Sequence, residues 1–348
     1  MPVTIKEIAS KAKVSHGLVS AILNGSNDKL RSSDETRARV LSIASELGYR
    51  PNSLARGLRG KRTKSVGLIW PFADEWIGDG VIGQDILRDS HDRGYATFYA
   101  ESRYDSEYLG EIIDDFSQRC VDALIMHGPT AILKSKKIVE QLNALPAAVV
   151  VTQSPIESLS CDQLIHNRIR AIEEVADYFA VTGRKRPAMV VSMDDPDNHA
   201  KYHAFRDRLM SLGVEDHEDM LMDMGRTVIP HTEHLQQKIR SRSEQLSRID
   251  AILCLNDFVA IAVTQGLKSC GRGVPDEVGV VGMNNSDVAS LWSPPLASID
   301  RRRQQIKAAV MSMAIKRLQR PKMPPQRQQV DMSFVWRDSA GARVGGLG

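Results

Sequence analysis

His199 and His203 stand four residues apart, the spacing that places two imidazoles on one helix face as a metal pair requires. Neither an HExxH pattern nor a third ligand accompanies them, so an exposed helix face is expected. His231 and His234 fall in a loop-like stretch and assemble nothing further. GLRGKRT, at 57–63, lacks the spacing of a phosphate-binding loop. Cys120, Cys161, Cys254 and Cys270 are far apart without a CxxC, as expected of reduced, mostly buried thiols in cytoplasm. No nucleophile, base and orienting group occur together, so no catalytic residue, cofactor or metal is expected. The polar side chains whose spacing carries information lie at the start of the chain: Thr4, Ser15, His16, Ser20 and Asn24.

Their setting is a set of short helices. Thr4-x-x-Glu7 reads as a capping box, in which hydroxyl and carboxylate each take the other residue's amide. Ile5, Ile8, Ala9 and Ala12 then recur at helical spacing. Lys13 and Val14 break the pattern, Ser15 caps a second helix with Leu18, Val19, Ile22 and Leu23 facing inward, and Asn24-Gly25 closes it. Two helices so joined are a helix-turn-helix. A third follows: Ser32-x-x-Glu35 as cap, Val40, Ile43, Ala44 and Leu47 as stripe, Gly48 as stop.

A three-helix bundle with a solvated charged face has the same pattern, and charge decides between the two. Residues 1–64 hold thirteen Lys and Arg against five Asp and Glu, while the whole chain of 348 residues carries only +3. The remainder is therefore acidic overall, and the amino-terminal segment is the part suited to meet a polyanion.

The remainder alternates. Strand-like runs are SVGLIWP (65–71), ATFYA (96–100), ALIMHG (123–128), AAVVVT (147–152), AMVVSM (188–193), AILCLN (251–256) and VGVVGM (278–283). Amphipathic helices separate them, such as 82–94 and 170–183. Alternation of this kind predicts α/β structure with helices on both faces of parallel sheets, and roughly 270 residues of it predict two such sheets. No apolar run approaches the about 18 residues of a membrane span, and the first residues do not read as a secretion signal. Gly341 to Gly348 reads as a disordered tail.

VTIKEIA, then VSxxxVSxIL, then ETRxRVLxxAxELGYxPNxxARxL, then TKSVGLIWP resemble the lactose-repressor (LacI) family of bacterial transcription regulators. Weaker matches continue through RGY at 93–95, LND at 255–257, VPDEVGVVG at 274–282 and PPLASI at 294–299, so the resemblance spans essentially the whole chain. It implies an all-α helix-turn-helix domain at 1–49, a hinge helix and linker at 50–64, and a two-lobed periplasmic-binding-protein-like body at 65–340. Each lobe would be a doubly wound parallel sheet: an N-lobe of about 65–162 and 295–322, and a C-lobe of about 165–292 and 326–340. Crossings between lobes are expected near 160–166, 291–297 and 320–328.

The resemblance also assigns residues. The second helix would enter the major groove, with His16, Gly17 and Ala21 at the base-reading positions. Gly17 and Ala21 offer no hydrogen-bonding side chain, so His16 alone reads a base edge while Ala21 meets a thymine methyl. The alternative for Gly17 is that it only permits close approach of the backbone. Thr4, Ser15, Ser20 and Asn24 are expected on phosphates. PNSLARGL, at 51–58, matches the hinge helix, with Asn52, Ala55 and Arg56 near the DNA and Leu58 wedged into the minor groove. The alternative, a core leucine, is disfavoured by the polarity of RGLRGKRTK.

For the body, ligand-binding positions fall at Trp76 and Ile77, Lys201, Asn256 and Asp257, Asn284 and Arg301. His166-Asn167 replaces the family's Asp-Asn. With carboxylates lost and cations kept, an acidic or phosphorylated sugar is expected over a neutral one; a pocket drifted from familiar ligands is the alternative. The function implied is a cytoplasmic, homodimeric, effector-responsive repressor of carbohydrate-use genes on a near-palindromic operator. Its partners would be duplex DNA and a small sugar-like effector, with no membrane. A transport-type sugar-binding protein without a DNA role is the alternative.

Overall fold

The computed structural model describes residues 3–23, 32–49, 62–70, 79–101, 105–128, 130–153, 155–194, 196–225 and 232–346. The chain divides into two compact units, Met1–Thr63 and Lys64–Gly348.

The first unit holds α1 (Ile5–Ala12), α2 (His16–Leu23) and α3 (Asp34–Glu46). The α1 capping box forms in both directions: the Thr4 hydroxyl accepts from the Glu7 amide at 3.3 Å, and the Glu7 carboxylate from the Thr4 amide at 3.0 Å. Lys13, at φ 54°, makes the turn into α2. The α3 cap differs from expectation. Ser33 is extended and its hydroxyl accepts from the Thr36 amide at 3.2 Å, because the helix begins at Asp34 and not one residue earlier. Gly48, at φ 66°, ends the bundle as its lack of a Cβ allows. Ile8, Ala9, Ala12, Val19, Ile22, Val40 and Ala44 are buried together, with Leu18, Leu23, Ile43 and Leu47 partly buried around them. These are the stripes that periodicity marked.

The second unit runs β1 (Ser65–Trp70), α4 (Asp79–Asp92), β2 (Ala96–Glu101), α5 (Ser106–Gln118), β3 (Ala123–His127), α6 (Thr130–Leu133), α7 (Lys136–Ala144), β4 (Ala148–Gln153) and β5 (Asp162–Asn167). It continues with α8 (Ile169–Val181), β6 (Pro187–Val191), α9 (Pro196–Ser211), β7 (Leu221–Asp223), α10 (Thr232–Arg240), α11 (Ser243–Arg248), β8 (Ala251–Cys254), α12 (Asp257–Ser269), β9 (Gly279–Asn284), α13 (Asp287–Leu291) and β10 (Ala297–Asp300). It ends with α14 (Arg303–Gln319), β11 (Arg327–Asp331) and β12 (Ser333–Val335). Two six-stranded sheets result, ordered β11-β5-β4-β3-β1-β2 and β12-β10-β9-β8-β6-β7. Among the described residues all pairings are parallel except β10 with β12.

The sheets exchange chain three times, each time later than expected. β5 completes the N-lobe sheet before α8 enters the C-lobe, so the first crossing falls after Asn167. β10 pairs with β9, and its Ala297 and Ile299 are buried in the C-lobe core, so 295–300 belongs there and the second crossing follows Asp300. β11 pairs with β5, so 327–331 belongs to the N-lobe and the third crossing is at Met332. The strand before each crossing is short or polar, so no apolar run in the sequence marks where the lobe ends and the resemblance alone places the crossings too early.

The tail is a second correction. Gly341 to Val344 lie against the C-lobe: Trp336 Nε1 donates to the Gly341 carbonyl at 3.1 Å, Tyr178 to the Ala342 carbonyl at 2.8 Å, and Val344 joins the core. Residues 347–348 lie outside the described residues.

Candidate functional site

In the first unit, α2 presents Ser15, His16 and Gly17 to solvent, while Ser20 and Ala21 are half-buried. Val19 and Ile22 anchor its opposite face. The Ser15 hydroxyl accepts from the Leu18 amide at 3.2 Å, so it is a helix cap in its own right, as Thr4 is for α1. A hydroxyl held this way keeps its proton for an acceptor such as a phosphate oxygen. Asn24, Asn52, Ala55, Arg56 and Leu58 lie outside the described residues.

In the second unit, polar side chains gather beyond the carboxyl ends of both sheets, where ligands of open parallel sheets bind. On the C-lobe sheet, neighbouring strands β10, β9, β8 and β6 lead respectively to Arg301, to Asn284 as the last residue of β9, to Asn256, and to Lys201 on α9. Lys201 Nζ donates to Asn198 Oδ1 at 2.7 Å, and Asn198 Nδ2 donates in turn to the Ser192 carbonyl at 2.8 Å. Asn256 caps α12, its Oδ1 accepting from the Val259 amide at 2.9 Å. Asn284 closes β9 with φ 101°, a conformation non-glycine residues rarely adopt and one that concentrates at functional sites. Trp76 and Ile77 lie outside the described residues.

Asp257 is reassigned. It is fully buried, and its carboxylate accepts from Ser298 Oγ at 2.6 Å, from the Ser286 amide at 2.7 Å and from Ser286 Oγ at 2.6 Å. It thereby ties α12 to the β9–α13 loop and to β10, and holds that loop in place of meeting an effector. Burial pushes its pKa up, while the Ser286 and Ser298 hydrogen bonds pull it down. His199 and His203, the possible metal pair, are exposed; His199 Nε2 lies 2.7 Å from the Met193 carbonyl. Among the described residues no group of three or more metal-ligating side chains occurs.

The N-lobe side is a column of rings that sequence reasoning missed. Trp70 at the end of β1 stacks on His127 at the end of β3, centroids 4.7 Å apart and planes at 24°. His127 stacks on His166 of β5 at 5.5 Å and 26°, and its Nδ1 lies 2.7 Å from Thr152 Oγ1. All four are buried. The column meets the other lobe at Arg301, whose guanidinium lies 3.5 Å from His166 Nδ1. A second bridge is Thr130 on α6, whose hydroxyl donates to Asp197 on α9 at 2.5 Å. The available signal was a ring ending an apolar run, in GLIW and in LIMH.

A capped, cationic helix-turn-helix on a body of two lobes crossed three times defines a class: a DNA-binding head joined to a periplasmic-binding-protein-like sensor. Residues 4–52 match the family profile of bacterial regulatory proteins, lacI family, and residues 176–340 that of the periplasmic binding protein-like domain. The HTH-type transcriptional regulator RegA of Clostridium saccharobutylicum is 24% identical, over 97% of this chain and 99% of that protein. Catabolite control protein A of Staphylococcus epidermidis is 27% identical, over 91% and 92%. Among solved structures, the lac repressor dimer bound to operator and the anti-inducer ONPF has a TM-score of 0.80 at 17% identity, over 98% of this chain and 100% of that one. The complex of the transcriptional regulator CelR with cellobiose has 0.67 at 21%, over 97% and 99%. Residues 4–52 are thus a LacI-family DNA-binding head and residues 176–340 a periplasmic-binding-protein-like domain, and the chain is a DNA-binding transcription regulator, not an enzyme. The reading as a transport-type binding protein without a DNA role is thereby set aside. Among the described residues no helix is long and apolar enough to cross a membrane.

Proposed function

We propose that this regulator is a repressor of carbohydrate-use genes that acts in the cytoplasm as a twofold dimer on a near-palindromic operator. His16 reads a base edge, Ala21 contacts a thymine methyl, and Gly17 allows close approach. Thr4, Ser15, Ser20 and Asn24 fix the register on phosphates. Asn52, Ala55, Arg56 and Leu58 act from the hinge, with Leu58 as the minor-groove wedge. A sugar or sugar derivative binds beyond the carboxyl ends of the C-lobe strands at Lys201, Asn256, Asn284 and Arg301, with Trp76 and Ile77 as its apolar contacts. The observation that carries this reading is the placement of those four polar side chains at or beyond the ends of four neighbouring strands, in a chain that also bears the DNA-binding head. A relative bound to cellobiose and one bound to its operator as a dimer support it.

Effector binding changes the angle between the lobes and so alters the pairing of the heads. The coupling is reciprocal: DNA weakens effector binding by the factor by which effector weakens DNA binding.

The experiment has two parts. Selection from a randomised duplex library yields a near-palindromic consensus. A thermal-shift screen of sugars, sugar acids, sugar phosphates and purines then finds a compound that both raises the Tm and releases that duplex in a mobility shift. A consensus without dyad symmetry, or no compound that does both, overturns the reading. Leu58→Ala lowers operator affinity; unchanged affinity removes the wedge.

A further inference from the structure

Between Arg301 and Arg327 the sequence holds nine Lys and Arg and no Asp or Glu, in a body that is otherwise acidic overall. Five of the nine have other duties. Arg301 is buried at the lobe boundary, Arg302 faces Asp300 at 3.7 Å, Arg303 binds Asp85 at 2.6 Å, Arg317 binds Asp162 at 2.6 Å and Arg327 binds Glu157 at 2.9 Å. Lys307 is half-buried in the second turn of α14. Lys316, Arg320 and Lys322 are exposed, and none of the three forms an ion pair with a described residue.

These three share a built platform. Arg317 grips the fully buried Asp162, the first residue of β5, with two guanidinium nitrogens. It also donates to the carbonyls of Pro321, Met323 and Pro324. The turn after α14 is thereby fixed against the sheet. A cation near a helix carboxyl end often serves only the helix dipole. Lys316 stands in the last turn of α14, where it serves the dipole as well, whereas Arg320 and Lys322 lie beyond the last helical residue, Gln319, on the turn whose carbonyls Arg317 holds.

Topology gives the platform its position. The N-lobe strands are parallel, so the starts of β1, β3, β4, β5 and β11 share one pole, opposite the effector side. Lys64, which precedes β1, is at this pole, its amide donating to Asp122 at 2.8 Å. The chain from the head thus joins the body at the pole that carries the three cations. Of the nearby acids, Asp162 is paired with Arg317 and Glu157 with Arg327, while Asp122 accepts from the Lys64 backbone amide. Asp92 precedes β2, at the far edge of the sheet from β5 and β11.

We propose that Lys316, Arg320 and Lys322 form a phosphate-binding patch for the duplex that flanks the operator. The proposal rests on operator binding by paired heads. The tether of residues 50–63 spans at most about 50 Å at ~3.5 Å per residue, so DNA held by the head is at high effective concentration around this pole. Three exposed cations, one in the last turn of α14 and two on the fixed turn after it, suit backbone phosphates, which carry no sequence information and need only charge and reach. A twofold dimer presents the patch twice, once to each flank.

The test compares the full-length protein with the variant Lys316→Ala/Arg320→Ala/Lys322→Ala. Affinity is measured by fluorescence anisotropy on the selected operator, both as a minimal duplex and with added flanks on each side. Wild type gains about tenfold with the flanks at low salt, and its slope of log K against log salt steepens by about 0.9 for each phosphate engaged. The variant loses that gain and that steepening, and binds the minimal duplex within about twofold of wild type. Arg320→Glu alone gives part of the loss. Either no flank-dependent gain in wild type, or its retention in the variant, overturns the patch. Weaker binding of the variant to the minimal duplex also overturns it, since the cations would then serve the fold or the head. Both proteins are also titrated on a random-sequence duplex. Failure to select an operator sinks the regulator reading, while equal salt slopes there sink the patch.

Discussion

In the N-lobe the strands run β11-β5-β4-β3-β1-β2 and in the C-lobe β12-β10-β9-β8-β6-β7, so β3 and β8 hold the same place, as do β5 and β10. Beyond those matched strand ends the chemistry diverges. The N-lobe ends in rings, Trp70 on His127 on His166. The C-lobe ends in a knot of hydrogen bonds around Asp257. Ring contacts are broad, and other rings of similar size can replace them. A buried carboxylate with three donors tolerates no substitute, because each orphaned donor carries its own penalty. The knot also supports strain: Asn284 and Asn285 both have positive φ, and Asn285 is held through its amide to Ser298 Oγ and its side chain to Arg337.

The hydrogen-bonded knot should be the costlier of the two to disturb. Asp257→Ala orphans the Ser286 amide and the Ser286 and Ser298 hydroxyls, and should cost about 3 kcal/mol or more, a Tm drop of roughly 6–12 °C. A loss under about 1 kcal/mol in thermal unfolding would mean that the loop holds itself.

Next come two glycines on strands. A Cβ on Gly282 would lie 2.3 Å from Asp257 Oδ1 and 3.1 Å from its Cα, whereas one on Gly67 would lie 2.5 Å from the Phe116 ring. The ring can turn aside; the knot and its backbone cannot. Gly282→Ala is therefore expected to cost about 2–3 kcal/mol and Gly67→Ala about 1 kcal/mol. Equal urea midpoints for the two variants would erase the distinction.

The ring column ranks third. His127→Ala removes one stack on each side and the Thr152 contact, for about 2 kcal/mol, with a change in the emission of Trp70. His127→Phe should recover at least half of the loss; if it recovers none, the imidazole matters for its polarity and not for its ring.

The smallest effect is in acid. Asp219 accepts from Arg248 and from Arg186, and these hydrogen bonds hold its carboxyl below the usual carboxylate pKa, with Arg248 the larger cause. Its contribution is present above the unfolded-state value near 4 and is lost as pH falls through the lowered native value. Asp257 runs the other way: its raised native pKa means stability is lost as pH rises from the unfolded value through the native one. Asp219→Asn should flatten the decline of the denaturation midpoint below pH 4, and an unchanged acid limb would count against the pairing.

The head was the most legible part of the chain. Its capping residues and apolar stripes carry their own positions, and only the α3 cap moved, from Ser32 to Ser33. The body was legible where strands are apolar. β1, β3, β4, β6, β8 and β9 each lie within a residue or two of the run that marked them, since their side chains are buried on both faces. β11, RQQVD, has four of its five residues exposed and gives no such signal. β5, DQLIHN, hides a polar first turn that Arg317 neutralises from 155 residues away. Asp257 was read as an effector ligand because an Asn-Asp pair after a strand resembles one, and only the positions of Ser286 and Ser298 reveal its partners. The ring column depends on which strands are neighbours, a relation that no local window contains.

Neither lobe is one continuous stretch of chain, since each takes a first long segment and a later short one. A protease that nicks one of the three crossings leaves two covalent tethers, so the halves stay registered and the cut molecule should elute as a single particle. Bending is confined to directions that three side-by-side strands permit together. An engineer who wants one lobe alone must join two distant pieces of the gene rather than simply truncate it.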